Sequence, residues 1–183
     1  KLSGKEAEFY NGLRVTDKET MEIAEMVLNK VNKELVGLMQ KMGLNAVGIC
    51  GKDANLIQVE KKMPDGKDIG YVGNVKSVNT ELLTTLMDAE FIPVVAPIGM
   101  DENFDSYNIN ADDAACGVAK AMEAEKLVFL TDIEGVFVDP SNKKTLISEM
   151  DVNTAKEFIV NGVVGGGMLP KLNNCIEAIE QGV

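Results

Sequence analysis

The 183-residue sequence contains no histidine. That absence removes Ser-His-Asp and Cys-His nucleophilic catalysis, together with the usual zinc sites. Any chemistry must rest on Lys, Arg, Asp, Glu, Asn and backbone groups, and no metal site is expected in the chain itself. Cysteine is scarce. Cys50, Cys116 and Cys175 stand apart in apolar surroundings and read as small buried hydrophobes of a reducing, cytoplasmic compartment rather than as a disulfide or a metal site. There is no basic block, and the formal net charge is −11. A nucleic-acid polymer needs a field of Lys and Arg along its phosphates, so none is expected as a partner. One small anion held by local donors is compatible with this charge. No apolar run approaches the length of a bilayer span, and no basic region precedes an apolar one near the start, so neither a membrane partner nor a signal peptide is expected. The sequence begins at Lys1 rather than at Met and stops at Val183, directly after an unfinished helical pattern. It reads as a piece of something longer.

What is present is the pattern of an α/β protein. The hydrophobic fraction of 45% is that of an ordinary globular chain. In "TDKETMEIAEMVLNK" (16–30), Thr16 and Glu19 form a capping box and Met21, Ala24, Val27 and Leu28 an apolar stripe, which predicts a helix. A second helix is expected at about 31–42. "NAVGIC" (45–50) predicts a short buried strand. "NLIQVEKK" and "DIGYVGNVKSV" flank Pro64-Asp65-Gly66 as the arms of a β-hairpin. A helix starting at Asn79 or Thr80 runs to about Ala89. "FIPVVAPIG" (91–99) is nearly continuous and apolar, as in a strand covered on both faces. "NADDAACGVAKAMEAE" is a helix capped by Asn110, "KLVFLTD" (126–132) a buried strand, and "VDPSNKKTLI" a turn between short strands. "DVNTAKEFIV" (151–160) and the segment from near Gly167 onward are helices. Alternating strands and helices predict a mostly parallel sheet with helices on both faces. The polar "GMDENFDSYN" near residue 100 is the expected lobe boundary.

Ligands of open α/β sheets bind beyond the carboxyl ends of strands, and three polar clusters are expected there. In "NGLRVTD" (11–17), the planar fork of Arg14 suits a carboxylate; a solvated arginine beside a helix cap is the competing reading. In "YNINADDAA" (107–115), capping accounts for Asn110 and for Asp113 at the third helical position, and leaves Asn108 and Asp112 unexplained. In "GVVGGGMLPKLNNC" (162–175), glycines run into a helix whose first turn holds Pro170 and Lys171. A cation is mildly unfavourable at the positive end of a helix. Lys171 makes sense there if an anion shares the place. Thr131, Asp132 and Gly135, at the end of the expected strand, would face it. A solvated lysine after a glycine-rich loop is the competing reading, and the P-loop order is absent.

Taken in order, "FYNGLRVTD", "KVNKELV", "GICGKDANLI", "PVVAPIGMDENFDSYNINADDAA", "AEKLVFLTDIEGVF" and "GVVGGGMLPKLNNCIEAIEQGV" resemble the acetylglutamate kinases of the amino acid kinase family over essentially the whole chain. The resemblance implies a three-layer α/β/α sandwich with a mostly parallel central sheet. Residues 1–100 would form an N-lobe for the amino-acid substrate and dimerisation, and residues 101–183 a C-lobe for ATP. The implied reaction passes the γ-phosphoryl of ATP, with its Mg2+, to the side-chain carboxylate of N-acetyl-L-glutamate in arginine biosynthesis. By motif, Arg14 would hold the substrate's α-carboxylate, with Asn108 and Asn110 on the same substrate. Asp112 would orient the catalytic lysines, and Lys171 would neutralise the transferring phosphoryl. Thr131, Asp132, Gly135 and Gly167 would bind the nucleotide. A homodimer or higher homo-oligomer is implied as well.

The sequence also departs from that family. The opening strand, its lysine- and glycine-containing loop and a second glycine-rich loop are absent, and "MVLNKVNK" is about two residues short. The chain by itself is therefore expected to be inactive or nearly so. Two alternatives stay open: a sister kinase for an N-acetyl-aminoadipate-type substrate, and a non-catalytic nucleotide-binding regulatory module.

Overall fold

The computed structural model describes residues 6–131, 134–139, 141–165 and 168–183. An antiparallel hairpin comes first, β1 (Phe9–Tyr10) and β2 (Leu13–Arg14), turned by Asn11 and Gly12 at positive φ. One 24-residue helix follows, α1 (Lys18–Lys41). Next in order are β3 (Ala46–Cys50), β4 (Ile57–Lys61), β5 (Val72–Val78), α2 (Glu81–Asp88), β6 (Ile92–Ala96), β7 (Ile98–Met100), β8 (Ser106–Ile109), α3 (Ala111–Ala121), α4 (Val152–Val160) and α5 (Met168–Glu180).

Strands β3 and β6 pair in parallel, with Ile49 opposite Val95 and Cys50 opposite Ala96. Successive side chains of a strand point to opposite faces. Ile49 and Val95 join Leu56, Ile57, Leu83 and Ala114 on the side of α2 and α3. Cys50 and Ala96 pack with Met21 and Ile98 beneath α1. Helices thus cover both faces of the parallel pair. The expected hairpin around Pro64-Asp65-Gly66 forms, and β4 and β5 close with β8 and β7 into a small barrel of order β4-β5-β8-β7.

Three expected elements come out differently. The helices expected at 16–30 and 31–42 are one. Asn29 and Asn32 interrupt the apolar stripe without interrupting the helix. The Asn29 amide donates to the Glu25 carbonyl (2.9 Å), and the buried Asn32 amide reaches the carbonyls of Val94 (2.7 Å) and Ile49 (3.3 Å). Gly48 makes room for it, since a Cβ there would lie 2.0 Å from Asn32 Oδ1. The start of α1 is set by Asp17, whose carboxylate accepts from the Thr20 N–H (2.8 Å), and not by a Thr16–Glu19 box. Thr16 is buried and its hydroxyl donates to the Arg14 carbonyl (2.9 Å). The single strand expected over 91–99 breaks at Pro97, which has no N–H to give to a ladder; β6 stays with β3 and β7 joins the barrel. Residues 126–131 form no strand. A strand exists only where a neighbour completes its ladder, and none of the described strands pairs with this run, in which Val128 is 73% and Leu130 94% exposed. Asn110 caps α3 as expected, accepting from the N–H groups of Asp112 and Asp113. The turn at "VDPSNKKTLI" is closed by an antiparallel bridge, Phe137 to Leu146. No helix among the described residues is long and apolar enough to cross a membrane.

A backbone relay ties the first hairpin to the barrel. The Thr16 N–H donates to Ile69 O (2.9 Å), Tyr71 N–H to Thr16 O (2.7 Å) and Asn108 N–H to Tyr71 O (2.9 Å). Gly70 is what permits it: its φ is +83°, and a Cβ there would sit 2.0 Å from Thr16 O. On the other side of the barrel, Lys52 donates to Glu25 (2.7 Å) and Ser106 (2.8 Å), joining α1, the end of β3 and the start of β8. Partial burial is the largest influence on Glu25 and pushes its carboxyl up. The bonds from Lys52 and Ser106, with the Lys52 charge, together outweigh it and hold the carboxyl below its ordinary range.

Two outcomes follow. Gly70→Ala forces both a strained φ and a backbone clash, so it destabilises by about 1–3 kcal/mol in urea unfolding and opens the Tyr71 and Asn108 amides to hydrogen exchange. A depressed carboxyl contributes stability at neutral pH that is lost as the pH falls through its folded-state titration range. Glu25→Gln therefore lowers stability at pH 7 and makes its decline in acid shallower, as read by unfolding midpoints between pH 7 and pH 3.

Candidate active site

Strand β8 runs directly into α3, so Asn108, Asn110 and Asp112 follow one another across a strand-to-helix junction. The Oδ1 of Asn110 is committed to the cap, bonded to the Asp112 (2.9 Å) and Asp113 (3.2 Å) N–H groups. The side-chain amide of the half-buried Asn108 has no hydrogen-bond partner among the described residues. The relay through Tyr71 and Thr16 connects this junction to Arg14 at the end of β2. Arg14 is exposed, lies over the Phe9 ring (5.3 Å to the centroid) and has no ion-pair partner among the described residues. The tip of its hairpin is pinned to the β4–β5 turn by the Asn11 amide on Asp65 (2.9 Å).

The first turns of α3 and α5 meet. Lys171 Nζ donates to Asp112 Oδ2 at 2.7 Å, with the two side chains 26% and 23% exposed, and the ammonium stands 5.8 Å from the centroid of the Phe129 ring. Two helix N-termini and a lysine therefore converge on one place, and one carboxylate offsets part of their positive charge. Such an arrangement suits a polyanion. One turn further along α5, burial pushes the Cys175 thiol up, the Asp112 charge adds to this, and Lys171 opposes it. Burial likewise raises Cys116. Both are poor nucleophiles.

Beside the start of α5 lies a cavity of about 290 Å³ lined by Gly135, Val136, Phe137, Val163, Val164, Gly165 and Met168. Gly135 is thus part of a cavity wall near the start of α5. Thr131 is exposed and is not among the residues lining this cavity, whereas Asp132 and Gly167 fall outside the described residues. Among the described residues, no group of His, Cys, Asp and Glu is arranged to hold a metal ion.

Sequence reasoning missed a second set of contacts. Asp113, explained there as a capping residue, accepts from Lys62 Nζ (2.9 Å) and from the Asn174 amide (3.0 Å). The doubled carboxylate "DD" was the available signal; Lys62 and Asn174 lie 51 and 61 residues away and carry none.

The amino acid kinase family description matches residues 1–183, the whole chain. The acetylglutamate kinase of Halothermothrix orenii is 50% identical over 182 residues, 98% of this chain and 63% of that protein. That of Campylobacter jejuni subsp. jejuni is 50% identical over 180 residues, with the same shares. The chain therefore spans about 63% of the length of these curated relatives. Among solved structures, smu.665 from Streptococcus mutans superposes with a TM-score of 0.87 at 27% identity, covering all of this chain and 72% of the other. The N-acetylglutamate synthase from Neisseria gonorrhoeae, solved with coenzyme A and N-acetyl-glutamate, gives 0.84 at 23% identity over 41% of its length, a likeness of fold. The layered α/β architecture with its parallel strands is theirs, and this chain belongs to the amino acid kinase family.

Proposed function

We propose that this chain supplies most of the catalytic body of an acetylglutamate kinase, which moves the γ-phosphoryl of ATP to the side-chain carboxylate of N-acetyl-L-glutamate in arginine biosynthesis. The carrying observation is the Lys171–Asp112 pair at the meeting of two helix N-termini, beside a cavity that Gly135 lines. Phosphoryl transfer asks a protein chiefly for in-line placement and positive charge at the equatorial oxygens. The acceptor carboxylate is already ionised at neutral pH, so no general base is required. A chain without histidine is suited to this reaction.

The roles then divide by place. The apolar walls at Val136, Phe137, Val163 and Val164 suit a base, and the backbone at Gly165 and the start of α5 suits phosphates. Thr131 and Asp132, with Gly167, belong to the same nucleotide side. Mg2+ arrives with the nucleotide. Lys171 offsets the charge of the transferring phosphoryl, and Asp112 holds that ammonium in place. Arg14, without a carboxylate partner among the described residues, takes the α-carboxylate of the acceptor as a bidentate pair. Asn108 donates to the same molecule, and Asn110, whose oxygen is spent on the cap, contributes its amide N–H. The raised, isolated thiols fit a reducing cytoplasm.

The partner in assembly is a second copy. Val31, Leu35 and Leu38 on α1 and Met42 at its C-terminal cap form an exposed stripe, spaced 4, 3 and 4 residues apart. Opposite charges flank it, as in the exposed Lys30–Glu34 pair. A two-fold axis through this stripe would set its apolar residues against themselves and lysine against glutamate.

In a protein of the relatives' length, transfer from ATP to N-acetyl-L-glutamate is expected. Lys171→Ala lowers kcat by about 100- to 1,000-fold, while Arg14→Ala chiefly raises the KM for acetylglutamate. Steady-state assays with both acceptors decide the reading: transfer to N-acetyl-aminoadipate alone would favour the sister kinase, and nucleotide binding with no transfer at all the regulatory module. Replacing Leu35 and Leu38 together by Glu yields a folded monomer in sedimentation; an unchanged mass would place the interface elsewhere.

A further inference from the structure

Asp112 and Asp113 are neighbours in the first turn of α3, yet their carboxylates serve different partners. Asp112 accepts from Lys171 at 2.7 Å. Asp113 accepts from Lys62 through Oδ2 (2.9 Å) and from Asn174 through Oδ1 (3.0 Å). The cap does not use this carboxylate, because Asn110 already satisfies the N–H groups of both residues. Lys171 and Asn174 are about one helical turn apart on α5, so two consecutive carboxylates grip the first two turns of that helix at two points. A helix end held by one ion pair can pivot about it; a second contact a turn away removes the pivot. The third point of the grip lies in the hairpin. Lys62 follows β4 directly, and its own N–H donates to Val72 O (2.8 Å). The Lys62 and Asp113 side chains keep only 23% and 27% exposure, so removing either leaves a charge that water compensates poorly.

We infer that Asp113 is a positioning residue: braced by Lys62 and Asn174, it fixes the first turn of α5 against the β4–β5 hairpin and so sets where the Lys171 ammonium stands. The hairpin also receives the tip of the Arg14 arm through Asn11 and Asp65. The bracket thereby puts the acceptor side and the phosphoryl side in one mechanical frame. In-line transfer is sensitive to such placement, since a displacement of about 1 Å can cost about 100-fold in rate.

The kinetic part of this inference rests on the kinase reading above, so the test has two arms. In a protein of the relatives' length, Asp113→Ala and Lys62→Met each lower kcat by about 10- to 100-fold while both KM values stay within about threefold. Lys62→Arg, which keeps the charge and the reach, restores most of kcat, and the double variant is no worse than either single one. Asp113→Asn, which preserves shape and the Asn174 contact, serves where Asp113→Ala does not fold, with a smaller loss in the same direction. The second arm needs no turnover: the 15N resonance of the Lys171 ammonium in this chain shifts in Asp113→Asn and in Lys62→Met. An unmoved Lys171 resonance, or an unchanged kcat in folded variants, overturns the bracket. A wild-type protein without phosphoryl transfer would overturn the kinase reading alone, with the resonance still deciding on the bracket.

Discussion

A lysine in the first turn of a helix stands against the positive end of that helix. Lys171 is kept there by Asp112, which comes from the first turn of another helix, where a carboxylate is favourably placed. The carboxylate makes the lysine tolerable, and the positive ends of both helices still point at one region, that of α3 with its cap at Asn110 in place. This contact, with the Asn174–Asp113 and Lys120–Glu177 pairs further along, joins α3 to α5. The packing then places the cavity lined by Gly135, Gly165 and Met168 beside the lysine.

The rest of the fold ties the Arg14 hairpin to the strand that leads into α3. The junction between β8 and α3 spaces Asn108 and Asp112 within four residues, one at the end of a strand and the other in a helix turn. Arg14 lies far away in sequence from both. It is brought to the same edge by a backbone relay through Thr16, residues 69–71 and Asn108, which works because Gly70 has no side chain. Exchanges between backbone groups carry this placement, so it does not depend on the identity of any titrating side chain.

How much of this could be read from the sequence follows from the range of the interactions. The cap at Asn110, the turn at Pro64-Asp65-Gly66 and the start of α5 depend on neighbours a few residues away, and all three were legible. The continuity of α1 was not, because what absorbs the polar Asn32 is a pair of carbonyls, one of them 62 residues distant. The strand expected at 126–132 has the composition of a strand, but residues 126–131 pair with none of the described strands, and composition does not reveal that. In the candidate site, Lys171, Asp112 and Gly135 were legible from helix and glycine chemistry together with the family resemblance. The second role of Asp113 was hidden because a local explanation, capping, was already available and Lys62 belongs to a different element.

The most direct test of the account is an amide chemical-shift map of a protein of the relatives' length titrated with Mg2+ and a non-hydrolysable ATP analogue. If the phosphates sit between the two helix starts, the largest changes fall on Gly135 to Phe137, on Gly165, on the first turn of α5 and on Asp112. Binding of the analogue with those amides unmoved would contradict the account, because the converging N-termini and Lys171 would then have no anion to serve.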